Sequence, residues 1–112
     1  MNLAVEWDPF ALEQMAAAWA TAAAEDRSLL TESASRAERI LSDANPGSGD
    51  ALVGHPVESY VRVAVLPRVP SYRHESLRVV VVGSMFFVAW VSPEDRLCVV
   101  YAAGRKRVEA DF

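Results

Sequence analysis

"LRVVVVGSMFFVAWVSPEDRLCVVYAAGRKR", residues 77–107, decides the fold. Its apolar runs Leu77–Val82, Met85–Val91 and Leu97–Ala102 are rich in valine and aromatics and have strand length. Gly83-Ser84 separates the first two, the spacing of a two-residue hairpin turn. "SPED", Ser92–Asp95, separates the next two, with Pro93 at the second position of a type I turn. Links this short join antiparallel neighbours, so the stretch reads as a meander. The longest apolar run, 79–91, is broken by Gly83-Ser84 and falls short of the roughly 20 residues that cross a bilayer, so no membrane span is expected.

Upstream, Leu3, Val5 and Trp7 alternate with Ala4 and Glu6, the period of a short strand with one buried face. Asp8 is a good N-cap, and Pro9 suits the first helical position because its missing N–H would be unpaired there anyway. A helix is expected from Asp8 to about Ala24, with the stripe Leu12, Met15, Ala16, Trp19, Ala22 and Ala23. Its alanines would let another element approach closely. A second helix is expected from Ser28 to Asp43 on Leu30, Ala34, Ala37, Ile40 and Leu41, and the cluster "NPGSGD", 45–50, stops it. Tyr60–Leu66 reads as a further strand, and Pro67–Ser76 as a loop whose prolines deny ladder donors. The expected fold is therefore a single α+β domain over residues 1–112, in two layers. An N-terminal strand and two helices precede an antiparallel meander of three to four strands.

The formal net charge is −4, and it is unevenly spread. Residues 1–50 carry nine acids against Arg27, Arg36 and Arg39, whereas residues 51–112 carry six acids against eight bases. The balance argues against a general nucleic-acid binder and leaves room for a local anionic partner near Arg105-Lys106-Arg107. One cysteine, Cys98, rules out an intramolecular disulfide, and the chain opens with no basic-then-apolar leader pattern, so a cytoplasmic protein is expected. Zinc, nucleotide and serine-hydrolase motifs are absent, so neither metal nor cofactor is expected.

Three stretches, "VEWDPFALEQMAAAW" (5–19), "DRSLLTESASRAERILSDANPGSGD" (26–50) and the 77–107 run, together resemble the RelE/ParE superfamily of toxins from bacterial toxin–antitoxin pairs, the plasmid-stabilisation type. In that family the last strand commonly ends in glycine followed by basic residues, as Gly104 and Arg105-Lys106-Arg107 do. The resemblance implies a small antitoxin partner and one of two actions. A RelE-like branch cleaves messenger RNA on the ribosome, and a ParE-like branch inhibits DNA gyrase. Phe86 stands where the cleaving branch has an arginine, Leu77 and Val79 where it has lysines, and Phe112 where it uses a tyrosine. Arg105 and Lys106 keep the expected charge. The favoured expectation is a toxin component that binds a target such as gyrase through Arg105, Lys106 and Arg107.

Two alternatives stay open. In one, the protein is a ribosome-dependent endoribonuclease whose rearranged site uses His74, Arg73 and Arg78 with Arg105; His74, with an ordinary pKa near 6.5, would be the base. In the other, it is a non-toxic interaction module. Self-association is also open. Beside these stand plainer readings: a solvated basic tail, an exposed loop histidine at 74, a core Tyr101, a buried and unreactive Cys98, and core anchors in Trp7, Trp19 and Trp90. Exposure of Trp19 or Trp90 would instead mark the antitoxin groove.

Overall fold

In the computed structural model, which describes residues 2–43 and 49–106, Asp8 closes strand β1 (Ala4–Trp7) and opens helix α1 (Pro9–Thr21). Its carboxylate accepts the Phe10 N–H at 2.9 Å, and Pro9 takes the first helical position, as the sequence predicts. Helix α2 (Ala24–Ser42) starts earlier than expected and without a side-chain cap, with Glu25 and Asp26 facing the positive end of its dipole. A two-residue strand β2 (Asp50–Ala51), helix α3 (Glu58–Val65) and two 3-10 turns (Leu66–Arg68 and Ser71–Ser76) lead into the meander β3 (Leu77–Val82), β4 (Met85–Ser92) and β5 (Leu97–Arg105). Most of the 45–50 turn, Arg107 and Phe112 lie outside the described residues. No described helix is long and apolar enough to cross a membrane.

The sheet order is β1-β5-β4-β3-β2, with β1 parallel to β5 and every other pair antiparallel. The α+β class and the order of an N-terminal strand, two helices and then antiparallel strands are those expected, while β2, α3 and the 3-10 turns between them are not. On one face α1 and α2 cover Val80, Val82, Met85, Phe87 and Val100, with Leu30, Ala37 and Leu41 of α2 buried against them. This buried apolar surface is the main source of stability.

Tyr60–Leu66, expected as a strand, is helical. Val61, Val63 and Val65 alternate like a strand, but Val57, Val61 and Val65 also recur every fourth residue. The helical period wins because all three of the latter are buried, on Leu77, Val79, Phe86 and Val88, while Val63 is 79% exposed. This segment covers the second face of the sheet, where a two-layer fold would be open. Pro67–Ser76, expected as loop, supplies the two 3-10 turns.

The buried stripe of α1 is also displaced by one residue from expectation. Ala11 and Ala22 are buried and Met15 and Ala18 pack beside them, whereas Leu12 and Trp19 are 53% and 46% exposed. In a helix this rich in alanine, both sides are apolar and the pattern has little contrast. What chooses the side is β5, where Gln14 Oε1 accepts the Ala103 N–H at 2.9 Å.

A bulge shapes the second face. Val88 pairs with Ala102 but Ala89 pairs with Val100, so β5 carries Tyr101 as an extra residue. Tyr101 and Ala102 therefore both turn toward the α3 side.

Candidate functional site

The segment 66–76 carries most of the sequence-predicted site residues, and it is pinned to the second face by side chains. His74 Nε2 lies 2.8 Å from the Val69 carbonyl and 3.1 Å from that of Leu66. Both partners are acceptors, so Nε2 carries a proton and donates. The ring closes the chain reversal at Pro70, where the Arg73 N–H also donates to the Pro70 carbonyl at 2.8 Å.

Arg73 reaches over the sheet. Its Nη1 donates to Tyr101 Oη at 2.6 Å, and its Cζ lies 3.9 Å from the centroid of the Trp90 ring and 5.5 Å from that of Tyr72. Trp90 pairs with Val99, and Tyr101, two residues further along β5, shares that face by strand alternation. The Arg73 Nε is buried without a hydrogen-bond partner, and among the described residues no carboxylate lies within 4.0 Å of the guanidinium. Burial works against its charge while the Tyr101 hydroxyl favours it, and the net displacement of its pKa is upward. The cation is permanent. Arg68 makes a parallel arrangement, 3.5 Å from Asp8 and 4.6 Å over the Phe10 ring. Two arginines of one segment thus lie over aromatic rings.

Arg78 is not part of this cluster. It pairs with Ala89 between Leu77 and Val79, so strand alternation turns it to the α1–α2 side of the sheet. The structure brings Arg73 and His74 together in one turn, with their side chains held by different partners, and leaves Arg78 across the sheet.

Arg105 and Lys106 are exposed at the end of β5, where the Lys106 N–H donates to the Ser84 carbonyl at 2.6 Å. Arg105 lies four residues, about 13 Å of strand, beyond Tyr101. The basic exit and the Arg73 platform are separate features. Arg107, the third member of the expected binding run, is outside the described residues.

The positions where the RelE-like branch carries cations are core here. Leu77 and Val79 are each 1% exposed. Phe86 pairs with Gly104, is buried, and meets the Tyr60 ring edge-on at 5.5 Å. A Cβ on Gly104 would lie 2.9 Å from Phe86 Cε2 and Cζ, so glycine is required by the ring packed over it. Cys98 is fully buried, and desolvation pushes its thiol up to about 12. His55, without a sequence-adjacent partner, accepts the Val57 N–H on Nδ1 at 3.2 Å and approaches Asp50 at 3.8 Å. Nearby, the Gly54 N–H holds Glu58 below the usual carboxylate range, aided by Arg62 against desolvation. No group of three or more metal-ligating side chains occurs among the described residues.

Trp90, Tyr101 and Tyr72 belong to the Arg73 platform, and the sequence did not connect them to it. Trp90 and Tyr101 read as core residues, and only the register of β4 on β5, together with the fold of 66–76 over them, joins them beneath one arginine. Chemically the platform offers a fixed cation on a π face, suited to holding an anion or a planar group. An acid–base pair is missing from it. Compared with protein-family models, curated proteins and solved structures, the chain matches none.

Proposed function

We propose that this chain is a RelE/ParE-like toxin component of a type II toxin–antitoxin pair that acts in the cytoplasm by binding a target such as DNA gyrase, with a small antitoxin as its neutralising partner. The reading draws on the element order, on Gly104 followed by Arg105 and Lys106, and on the sequence resemblance. What favours binding over catalysis is the separation of the candidate cations. Arg78 lies on the other face of the sheet from Arg73 and His74, and Arg105 stands at the far end of β5. General-base cleavage of RNA needs cations gathered with the base around the scissile phosphate.

One observation favours the ribonuclease reading: Arg73 is a stacked cation without a carboxylate partner, a group suited to phosphate or base contact. Inducible expression of the chain alone, with growth followed and transcripts mapped in the same culture, separates the two. Target binding predicts slowed growth without new cuts inside codons. New cuts that disappear in Arg73→Ala and His74→Ala would establish the nuclease instead, and normal growth would remove both.

A further inference from the structure

Three arginines lie between Glu58 and Ser76, and two of them have carboxylates. Arg62 pairs with Glu58 one helical turn away, and Arg68 lies 3.5 Å from Asp8. Arg73 has no carboxylate within 4.0 Å among the described residues, although Glu75 stands exposed two positions on. Its hydrogen-bond partner, the Tyr101 hydroxyl at 2.6 Å, is neutral and buried, and its Nε is buried without an acceptor. The fold therefore holds this cation in place and leaves its charge uncompensated.

The surroundings choose what compensates it. Trp90 lies 3.9 Å from the guanidinium carbon, Tyr72 stands 5.5 Å away and is 75% exposed, and Val99, paired with Trp90, is half-buried on the same face. Arginine, tryptophan and tyrosine around one fixed charge are the composition of protein-interface hot spots, where rigid rings supply contact area and exclude water. A guanidinium favours oxyanions, and a carboxylate is the one that a protein partner carries. A nucleic-acid strand is the poorer occupant, because it brings a charge with every nucleotide. Here it would meet one uncompensated arginine of three, in a chain of net charge −4.

We infer that the Arg73 platform is a protein-docking site that takes an aspartate or glutamate side chain of a partner on the guanidinium, with an apolar neighbour of that acid on Tyr72 and Trp90. The inference uses neither the basic exit nor the toxin reading, so either can fail alone. Cut from the rest of an interface, one such contact is weak, with a dissociation constant on the order of 1 mM. The acid and its apolar neighbours then fit within a tripeptide.

The probe is acetyl-Phe-Glu-Phe-amide, titrated into the isotopically labelled full chain while the indole N–H signals of Trp7, Trp19 and Trp90 are followed by NMR. The Trp90 signal should shift saturably, and that of Trp7, which packs on the first face, should stay in place. Acetyl-Phe-Gln-Phe-amide should bind about tenfold more weakly, having lost the charge. Arg73→Ala should abolish the shift, with an unmoved Trp7 signal showing the fold intact. Arg73→Lys, which keeps the charge and disturbs the packing less, should weaken binding several-fold, because an ammonium lacks the planar fork. Five outcomes would each overturn the inference: no shift at about 20 mM peptide, equal binding of the two peptides, a shift undiminished in either variant, an equal shift at Trp19, where Arg27 stacks at 4.1 Å, or inorganic phosphate moving the Trp90 signal at lower concentration than the peptide. The last would make the platform a phosphate site.

Discussion

Gly104→Ala is the substitution through which the packing beneath the last strand can be measured. The added methyl would stand 2.9 Å from two carbons of the Phe86 ring, closer than side-chain carbons pack. The ring has little room to retreat, since Phe86 is 4% exposed and packs edge-on against Tyr60 at 5.5 Å. Overpacking of this sort costs about 1–3 kcal/mol. Against it stands a gain of about 0.4–1 kcal/mol from the smaller conformational freedom of the unfolded alanine chain. The net expectation is a loss of about 1–2 kcal/mol, read as a lower urea midpoint with unchanged slope. The cycle with Phe86→Leu identifies the cause. In that smaller background Gly104→Ala should be nearly neutral, giving a coupling of about 1 kcal/mol or more between the two sites. Equal losses in both backgrounds, or a stabilised single variant, would refute the claim that the Phe86 ring dictates glycine at 104.

Three further outcomes follow from the same geometry. Val61→Ala should cost about 1–2.5 kcal/mol and Val63→Ala almost nothing, as urea denaturation would show; a strand at 60–66 would make the two losses equal. Arg73→Ala should lose about 1–2 kcal/mol with the Trp90 stack and the Tyr101 hydrogen bond, and Arg73→Lys should recover little of it, because a point cation cannot make the same planar contact. For Cys98 the folded thiol titrates near 12 against an ordinary value of 9.0, so the folded state holds the proton more tightly. The stability this contributes is complete below pH 9 and is lost as pH rises toward 12, by up to about 1.4 kcal/mol per pH unit; the urea midpoint of wild type should fall faster over that window than that of Cys98→Ala.

Local punctuation made much of this fold legible. Gly83-Ser84 and Pro93 mark the two turns of the meander, and Asp8-Pro9 marks the start of α1, because each solves a backbone problem that exists before any packing does. The second face was hidden for the opposite reason. "YVRVAVL" satisfies a two-residue and a four-residue period at once, and burial on Leu77 and Val79, far along the chain, decides between them. The outer side of α1 was misassigned because alanines give no contrast until β5 selects Ala11 over Leu12.

At the candidate site, Arg73 and His74 stand out in the sequence as chemically able groups, but sequence proximity could not show that one lies on Trp90 while the other is tied to carbonyls. Arg78 was grouped with them by nearness along the chain, and strand alternation separates it. Gly104 was noticed for its place before the basic run. Its physical requirement, the ring of Phe86 across the ladder, becomes visible only once the register of β4 and β5 is known.

The most direct test of the proposed function is supercoiling by purified DNA gyrase titrated with the purified chain. The account predicts concentration-dependent inhibition that is weakened about tenfold or more in the Arg105→Ala/Lys106→Ala variant and retained in His74→Ala, because the basic exit supplies the contact and the histidine is structural. Undiminished supercoiling at every concentration, or inhibition unaffected by loss of the two cations, would contradict it.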